Sequence, residues 1–208
     1  MLTIRTEHNV WDPPQDSLII IDGVTEEDYW KLSSEDLKIE YAGGCLYIHS
    51  PASLKHEMIF NFLYLYLNVR LQELNVGELL GSRVAIELPG GHRPEPDLVL
   101  LPRDTYSESD TVYKGVPIWV IEILSTGTKK NVDHDLVEKL SWYTDAKIPE
   151  IWYVNPDTYT VIRYCYNSPD QTYKREEFSK DSVSPKLFPM ITIRLEWLRT
   201  RPKLSEIT

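Results

Sequence analysis

Asp97 closes the run Pro94-Glu95-Pro96-Asp97 just ahead of an apolar stretch at 98–101, Glu122 lies inside a second apolar stretch at 118–124, and Lys139 follows in a segment of helical periodicity. A carboxylate moved into an apolar interior without a partner costs several kcal/mol or more, so two acids on buried strands require a shared proton, a cation or a metal. Asp, Glu and Lys are together the residue types of a metal site for phosphodiester chemistry. Hydrolysis needs an attacking water, stabilisation of charge on the phosphoryl oxygens and help for the leaving alkoxide, and bound Mg²⁺ can supply all three. Mg²⁺ takes a few carboxylates and keeps several waters, so Asp97 and Glu122 with the backbone carbonyl of Ile123 make an adequate ligand set, with Mn²⁺ as the substitute ion. Lys139 would orient or deprotonate the water and neutralise developing charge.

Each residue also has a plainer role. Asp97 after Pro96 fits a turn at the start of a strand. Glu122 could pair with Lys139 as a buried salt bridge. His56 fits a metal ligand, a phosphate contact or a core histidine satisfied by a backbone carbonyl. Glu40 could complete a metal shell or lie solvated beside the glycine turn at Gly43-Gly44. Trp119, Trp142 and Trp152 read as core residues rather than base-stacking platforms.

The elements that must position these groups follow from periodicity. Residues 1–24 carry Asp12-Pro13-Pro14 and no sustained period, which reads as an N-terminal arm or edge strand. Thr25-Glu26-Glu27-Asp28 opens a short helix with an N-cap threonine and acids in its first turn. Residues 38–41 and 45–48 flank Gly43-Gly44 as a β-hairpin, with Glu40 on its first strand. Ile59, Phe62, Leu63, Tyr66, Leu67 and Leu74 recur at helical spacing over 53–75, with His56 inside that arc. Short runs at 78–80 and 83–88 alternate as strands, while 97–101 and 118–124 are continuous enough to be central strands covered on both faces. Over 131–146, Val132, Leu136, Leu140 and Tyr143 share one helical face; Lys139 falls in the middle of that arc and Asp135 at its edge, so Lys139 points inward. Strands at 150–154, 160–166 and 172–178 and a short helix at 195–198 complete the chain, with no internal repeat.

With 42% hydrophobic and 26% charged residues over 208 positions, the composition is that of one soluble globular domain spanning 1–208. No apolar run is long enough to cross a bilayer and the first residues lack a signal-peptide layout, so the expected location is cytoplasmic, with no membrane partner. Cys45 and Cys165 have no metal-ligand spacing and read as reduced packing residues. The net charge of −10 opposes binding to a phosphate backbone unless a local cluster or a bound cation reverses the sign of one cleft. Arg93, Lys129 and Lys130 are candidates for such a patch.

The ordered set Pro96-Asp97, Val120-Ile121-Glu122-Ile123-Leu124-Ser125, Asp135 to Lys139 with Tyr143, and Ile148-Pro149-Glu150-Ile151-Trp152-Tyr153-Val154-Asn155-Pro156 resembles the Uma-two family of endonucleases, within the restriction-endonuclease-like PD-(D/E)XK superfamily. Glu40 before the glycine turn, Ser50-Pro51 and His56 are similar to the same family in the N-terminal half. The resemblance spans roughly residues 25–198 and implies an α/β fold: a mixed β-sheet flanked by helices in αβββαβ order, with extra β-hairpins at the N- and C-terminal parts. It also implies Asp97 and Glu122 as metal ligands. Leu124 stands where the wider superfamily places its lysine, and Lys139 takes that role from the following helix. Thr126-Gly127-Thr128-Lys129-Lys130 departs from the family's usual Ser-Pro-Ser-Thr.

The reading that results is a Mg²⁺-dependent nuclease acting on DNA, with Asp97, Glu122 and Lys139 at its centre, Glu40 and His56 in support, and a homodimer as the expected assembly for cutting both strands. The alternatives are a binding domain on the same fold that lacks turnover, and a hydrolase of a small phosphorylated substrate, which suits the acidic charge better than duplex DNA.

Overall fold

The computed structural model describes residues 18–33, 37–81 and 83–207. Most of the expected N-terminal arm lies outside those residues; its last part is β1 (Leu18–Asp22), which among the described residues pairs only with β3. Helix α1 (Glu26–Leu32) starts as its sequence dictates. Thr25 and Asp28 form a reciprocal capping box, and Glu26, Glu27 and Asp28 place negative charge at the positive end of the helix dipole.

Strands β2 (Ile39–Ala42) and β3 (Cys45–His49) are joined by the two-residue turn Gly43-Gly44. Both glycines take positive φ, 57° and 82°, the backbone such a tight hairpin requires. The turn fixes the register: Ala42 faces Cys45 and Glu40 faces Tyr47. One step further out, the His49 N–H donates to the Lys38 carbonyl at 3.1 Å. Because side chains alternate along a strand, Lys38, Glu40, Tyr47 and His49 all project from one face, while Ile39 and Leu46 pack under Tyr29 on the other.

Helix α2 (Leu54–Leu74) is capped by Ser53, whose hydroxyl accepts the His56 N–H, and ends at Asn75 in the left-handed conformation. Its buried stripe of Ile59, Phe62, Leu63, Tyr66, Leu67 and Leu71 covers one face of a six-stranded sheet of order β4-β5-β6-β7-β8-β9. These strands are β4 (Glu78–Gly81), β5 (Leu98–Leu101), β6 (Trp119–Ile123), β7 (Glu150–Asn155), β8 (Thr160–Asn167) and β9 (Thr172–Phe178). All neighbours are antiparallel except β6 and β7, which run parallel. A parallel pair needs a crossover, here α3 (Lys129–Asp133), a π-helical stretch (His134–Lys139) and α4 (Leu140–Asp145). From α2 to β7 the order is αβββαβ, as expected, and the hairpins β2-β3 and β8-β9 are the additions at either end. The short pair β10 (Ser182–Val183) and β11 (Ile193–Arg194), not foreseen in the sequence, precedes helix α5 (Leu195–Thr200), which packs beside α2.

The alternation along β5 and β6 divides the core. Leu98, Leu100, Trp119, Ile121 and Ile123 face α2, whereas Val99, Leu101, Val120 and Leu124 face the β2-β3 hairpin and α4. Trp119, Trp142 and Trp152 are core residues, and Cys45 and Cys165 are free thiols. Among the described residues no helix is long and apolar enough to cross a membrane.

Two sequence expectations are corrected. Segment 83–88 forms no strand; it makes single bridges, Ile86 with Tyr113 and Leu88 with His92, because its backbone bonds with the loop residues His92, Pro94 and Tyr113. Over 131–146 the inward stripe is polar: Asn131, His134, Asp135 and Lys139 are buried with Trp142 and Tyr143, while Val132, Leu136 and Leu140 are half-buried. The π-helical stretch explains this. Five residues of α-helix turn about 140° past a full turn, so widening the helix here is what lets His134 and Lys139 face the same way.

Candidate active site

The antiparallel register pairs Leu98 with Ile121, so one step beyond it Asp97 stands across from Glu122, on the sheet face that carries Val99 and Val120. Both acids are buried, at 5% and 2% exposure. Asp97 Oδ2 accepts the Ile123 N–H at 2.8 Å and lies 3.1 Å from His56 Nε2, while Oδ1 lies 3.1 Å from Lys38 Nζ. Helix α2 thus delivers His56, and the hairpin Lys38, onto one carboxylate. Burial opposes ionisation of Asp97, yet the charges of Lys38, His56 and Lys139 outweigh it and hold the carboxyl well below the usual range. In return His56 is raised: burial disfavours its imidazolium, and Asp97 more than compensates.

Glu122 Oε1 lies 2.5 Å from Lys139 Nζ and accepts the Tyr143 hydroxyl. Burial, reinforced by the charges of Asp97 and Asp135, pushes its carboxyl up to about 7 against the pull of Lys139. Lys139, 1% exposed, also reaches Glu40 Oε1 at 2.9 Å, with Asp135 Oδ1 farther off at 3.9 Å. The inward lysine of the sequence reading is therefore a bridge between Glu122 on the sheet and Glu40 on the hairpin. Glu40 is fully buried, not solvated beside its glycine turn. Its Oε1 also accepts the Glu95 N–H at 2.8 Å, and its Oε2 lies 2.8 Å from His49 Nε2 and 3.0 Å from His134 Nε2. Burial raises the Glu40 carboxyl, but Lys139 and the two histidines outweigh it and leave it well below the ordinary range.

Asp97, Glu122, Lys38, His56, His134 and Asp135 line a cavity of ≈ 20 Å³, about the size of one water or one small ion. A groove of ≈ 320 Å³, bordered by Lys38, His49, Ser50, His56 and Asp97, opens beside it to solvent. Two carboxylates facing each other over a polar void of this size suit a hard divalent cation bound through oxygen. The ammonium of Lys38 stands in for part of that positive charge on Asp97.

Of the residues singled out in the sequence, Asp97, Glu122, His56 and Ile123 line one cavity, and Lys139 and Glu40 join them through the Lys139–Glu122 and Lys139–Glu40 ion pairs. Sequence reasoning missed Lys38, His49, His134 and Asp135. The first two were readable from the hairpin register once the glycine turn was placed; Asp135 already lay at the edge of the inward arc one turn before Lys139, and His134 required knowing that the helix widens. Arg93 does not belong to an electropositive patch: it is 2% exposed, 2.5 Å from Glu26, and lies over the rings of Tyr29, Trp30 and Tyr41. Lys129 and Lys130 are exposed.

Comparison with known proteins bears on the fold and the family. A solved structure from Anabaena variabilis ATCC 29413, described as "a putative nuclease belonging to DUF820", superposes with a TM-score of 0.68 at 18% identity, covering 86% of this chain and 98% of that one. At that identity the likeness speaks for the fold, a restriction-endonuclease-like mixed sheet flanked by helices. The comparison with curated proteins gave no match. Residues 26–196, well over half of the chain, match the family described as "Uma2: Putative restriction endonuclease". With Asp97, Glu122 and Lys139 gathered on that fold, the chain belongs to the Uma2 family of restriction-endonuclease-like proteins.

Proposed function

We propose that this chain is a metal-dependent nuclease that hydrolyses DNA phosphodiester bonds, with Asp97, Glu122 and the carbonyl of Ile123 holding Mg²⁺, or Mn²⁺ in its place. The observation that carries the reading is the placement of Asp97 opposite Glu122, with Lys139 against Glu122 and a polar cavity alongside. When bound, the ion supplies charge neutralisation at the phosphoryl oxygens and a more acidic water.

The remaining work falls to the chain's own residues. His56 and the Ile123 N–H fix the rotamer of Asp97, as positioning partners of a ligand usually do. Glu40 holds Lys139 at its post, so that an ammonium is pre-organised beside Glu122 where negative charge develops. Lys38 at the groove supplies local positive charge on a chain of net −10, which lets a phosphate approach. The protein acts as one domain over 1–208, in the cytoplasm, and as a symmetric pair when both strands are cut; gel filtration at working concentration gives twice the chain mass on this reading and a monomer otherwise.

The test is incubation of the purified protein with supercoiled plasmid and with single-stranded DNA, in Mg²⁺, Mn²⁺ or EDTA. Cleavage in either metal and none in EDTA supports the reading. Binding of DNA with no metal-dependent cleavage favours a binding domain, for which the internally paired Lys139 is the supporting feature. Strong competition by mononucleotides points to a small phosphorylated substrate.

A further inference from the structure

Beside Lys139, three metal-ligating groups converge from three elements. Glu40 and His49 come from adjacent strands of the hairpin and His134 from the π-helical stretch. Their ligand atoms lie within 4.8 Å of one another, and both imidazole Nε2 atoms approach the same oxygen, Glu40 Oε2, at 2.8 and 3.0 Å. Ligands about 2.0–2.1 Å from a shared ion at roughly 90–110° stand about 2.8–3.4 Å apart, so two of the three separations are already those of neighbouring ligands on one ion.

A second, independent feature is the far side of His134. Its Nδ1 lies 2.6 Å from Glu138 Oε2, one helical turn on. A histidine whose outer nitrogen meets a carboxylate while its inner nitrogen meets the ligand cluster has the arrangement that orients metal-bound imidazoles and raises their basicity. The ring is also locked in place, stacked on Tyr47 at 4.4 Å and set edge-on to Trp142. Without a metal, both Nε2 atoms would have to donate to the single oxygen Oε2, and His134 would then carry protons on both nitrogens between two carboxylates. The other Glu40 oxygen is committed to Lys139 and the Glu95 N–H, so it keeps the carboxylate from rotating. His49 and His134 also border the ≈ 20 Å³ cavity that Asp97 and Glu122 line, so the two sites are neighbours.

We propose that Glu40, His49 and His134 form a second divalent-metal site, selective for a transition ion of the Zn²⁺ class over Mg²⁺. Imidazole nitrogen selects Zn²⁺, Co²⁺ or Ni²⁺, whereas Mg²⁺ prefers an all-oxygen shell of the kind offered by Asp97 and Glu122. The site stands apart from the nuclease reading, because it is defined by ion binding and not by turnover. Lys139 contacts Glu40 on this site and Glu122 on the other, so the two would share one positioning ammonium.

The experiment uses the full chain, stripped of metal and free of DNA, titrated with Zn²⁺ by calorimetry in excess Mg²⁺, with Co²⁺ as a visible-absorption probe. One equivalent of Zn²⁺ binding despite Mg²⁺ is expected. His49→Gln should weaken it on the order of 100-fold, and Glu138→Gln, at a 44% exposed side chain that leaves the core intact, about 10- to 100-fold. Asp97→Asn should leave Zn²⁺ affinity within a few-fold of the unaltered protein. No Zn²⁺ binding, displacement of Zn²⁺ by Mg²⁺, wild-type affinity in both His49→Gln and Glu138→Gln, or loss of the site in Asp97→Asn would each overturn the assignment. Since no outcome depends on DNA cleavage, failure of this site and failure of the nuclease reading are separable.

Discussion

Lys139→Met removes an ammonium while retaining most of the aliphatic stem, and it probes the ionic core more sharply than any other single change. The ammonium is 1% exposed and holds two carboxylates, Glu122 at 2.5 Å and Glu40 at 2.9 Å. Breaking a buried pair by removing one partner costs about 3–5 kcal/mol, because the surviving charge stays desolvated. Two effects limit the loss here. Glu122 titrates near neutrality and can take up a proton, and Glu40 keeps two imidazoles and the Glu95 N–H. A net loss of about 3 kcal/mol is therefore expected, which for a chain of this length lowers the melting temperature by roughly 6–12 °C. Urea unfolding in EDTA, followed by tryptophan fluorescence, measures it directly. Adding Glu122→Gln removes one of the stranded charges, so the double variant should recover at least about 1 kcal/mol relative to additivity. A Lys139→Met protein within about 0.5 kcal/mol of the unaltered one, or strict additivity in the double variant, would refute the bridging role.

Other expectations follow from particular contacts. Glu150 accepts the Trp152 indole N–H at 2.6 Å and the Lys186 and Leu187 amides at 3.1 Å each, so Glu150→Ala strands three donors and should cost about 3–5 kcal/mol in urea unfolding. Burial raises the Glu150 carboxyl above its ordinary 4.5, so its contribution is complete below that pH and declines as the pH climbs toward the raised value; Glu150→Gln should flatten this part of the stability curve. A Cβ on Gly77 would fall 2.3 Å from the Leu101 carbonyl oxygen, so Gly77→Ala should force β4 away from β5 and cost about 1–3 kcal/mol, read from the denaturation midpoint. Arg93→Met should lower stability while leaving the salt dependence of DNA binding unchanged, since the guanidinium is held by Glu26 and Glu87 inside the fold. A reduced salt slope in that variant would return Arg93 to the phosphate-binding surface.

The parts of the fold that were legible in the sequence are those with strong local signals. Thr25 with Asp28, Gly43-Gly44 and the spacing from Ile59 to Leu67 each specify one element by chain chemistry alone. Asp97 and Glu122 stood out because a charge inside an apolar strand demands compensation. His49 is reached by carrying the hairpin register one step past the predicted strand 45–48, whereas His134 was hidden because a regular helix would turn it away from Lys139. Segment 83–88 alternates like a strand but spends its backbone hydrogen bonds on His92, Pro94 and Tyr113, a tertiary choice that periodicity does not carry. Arg93 read as a surface cation since nothing local announces the ring cluster of Tyr29, Trp30 and Tyr41 that covers it.

The most direct test of the Asp97–Glu122 centre is the initial rate of plasmid nicking in Mg²⁺ by Asp97→Asn and Glu122→Gln, each first shown by circular dichroism and urea unfolding to be folded. The account predicts a loss of at least about 100-fold in both, with DNA affinity largely retained, as expected when an interaction made in the transition state is removed. Nicking at the unaltered rate by either folded variant would contradict it and place the chemistry elsewhere on the protein.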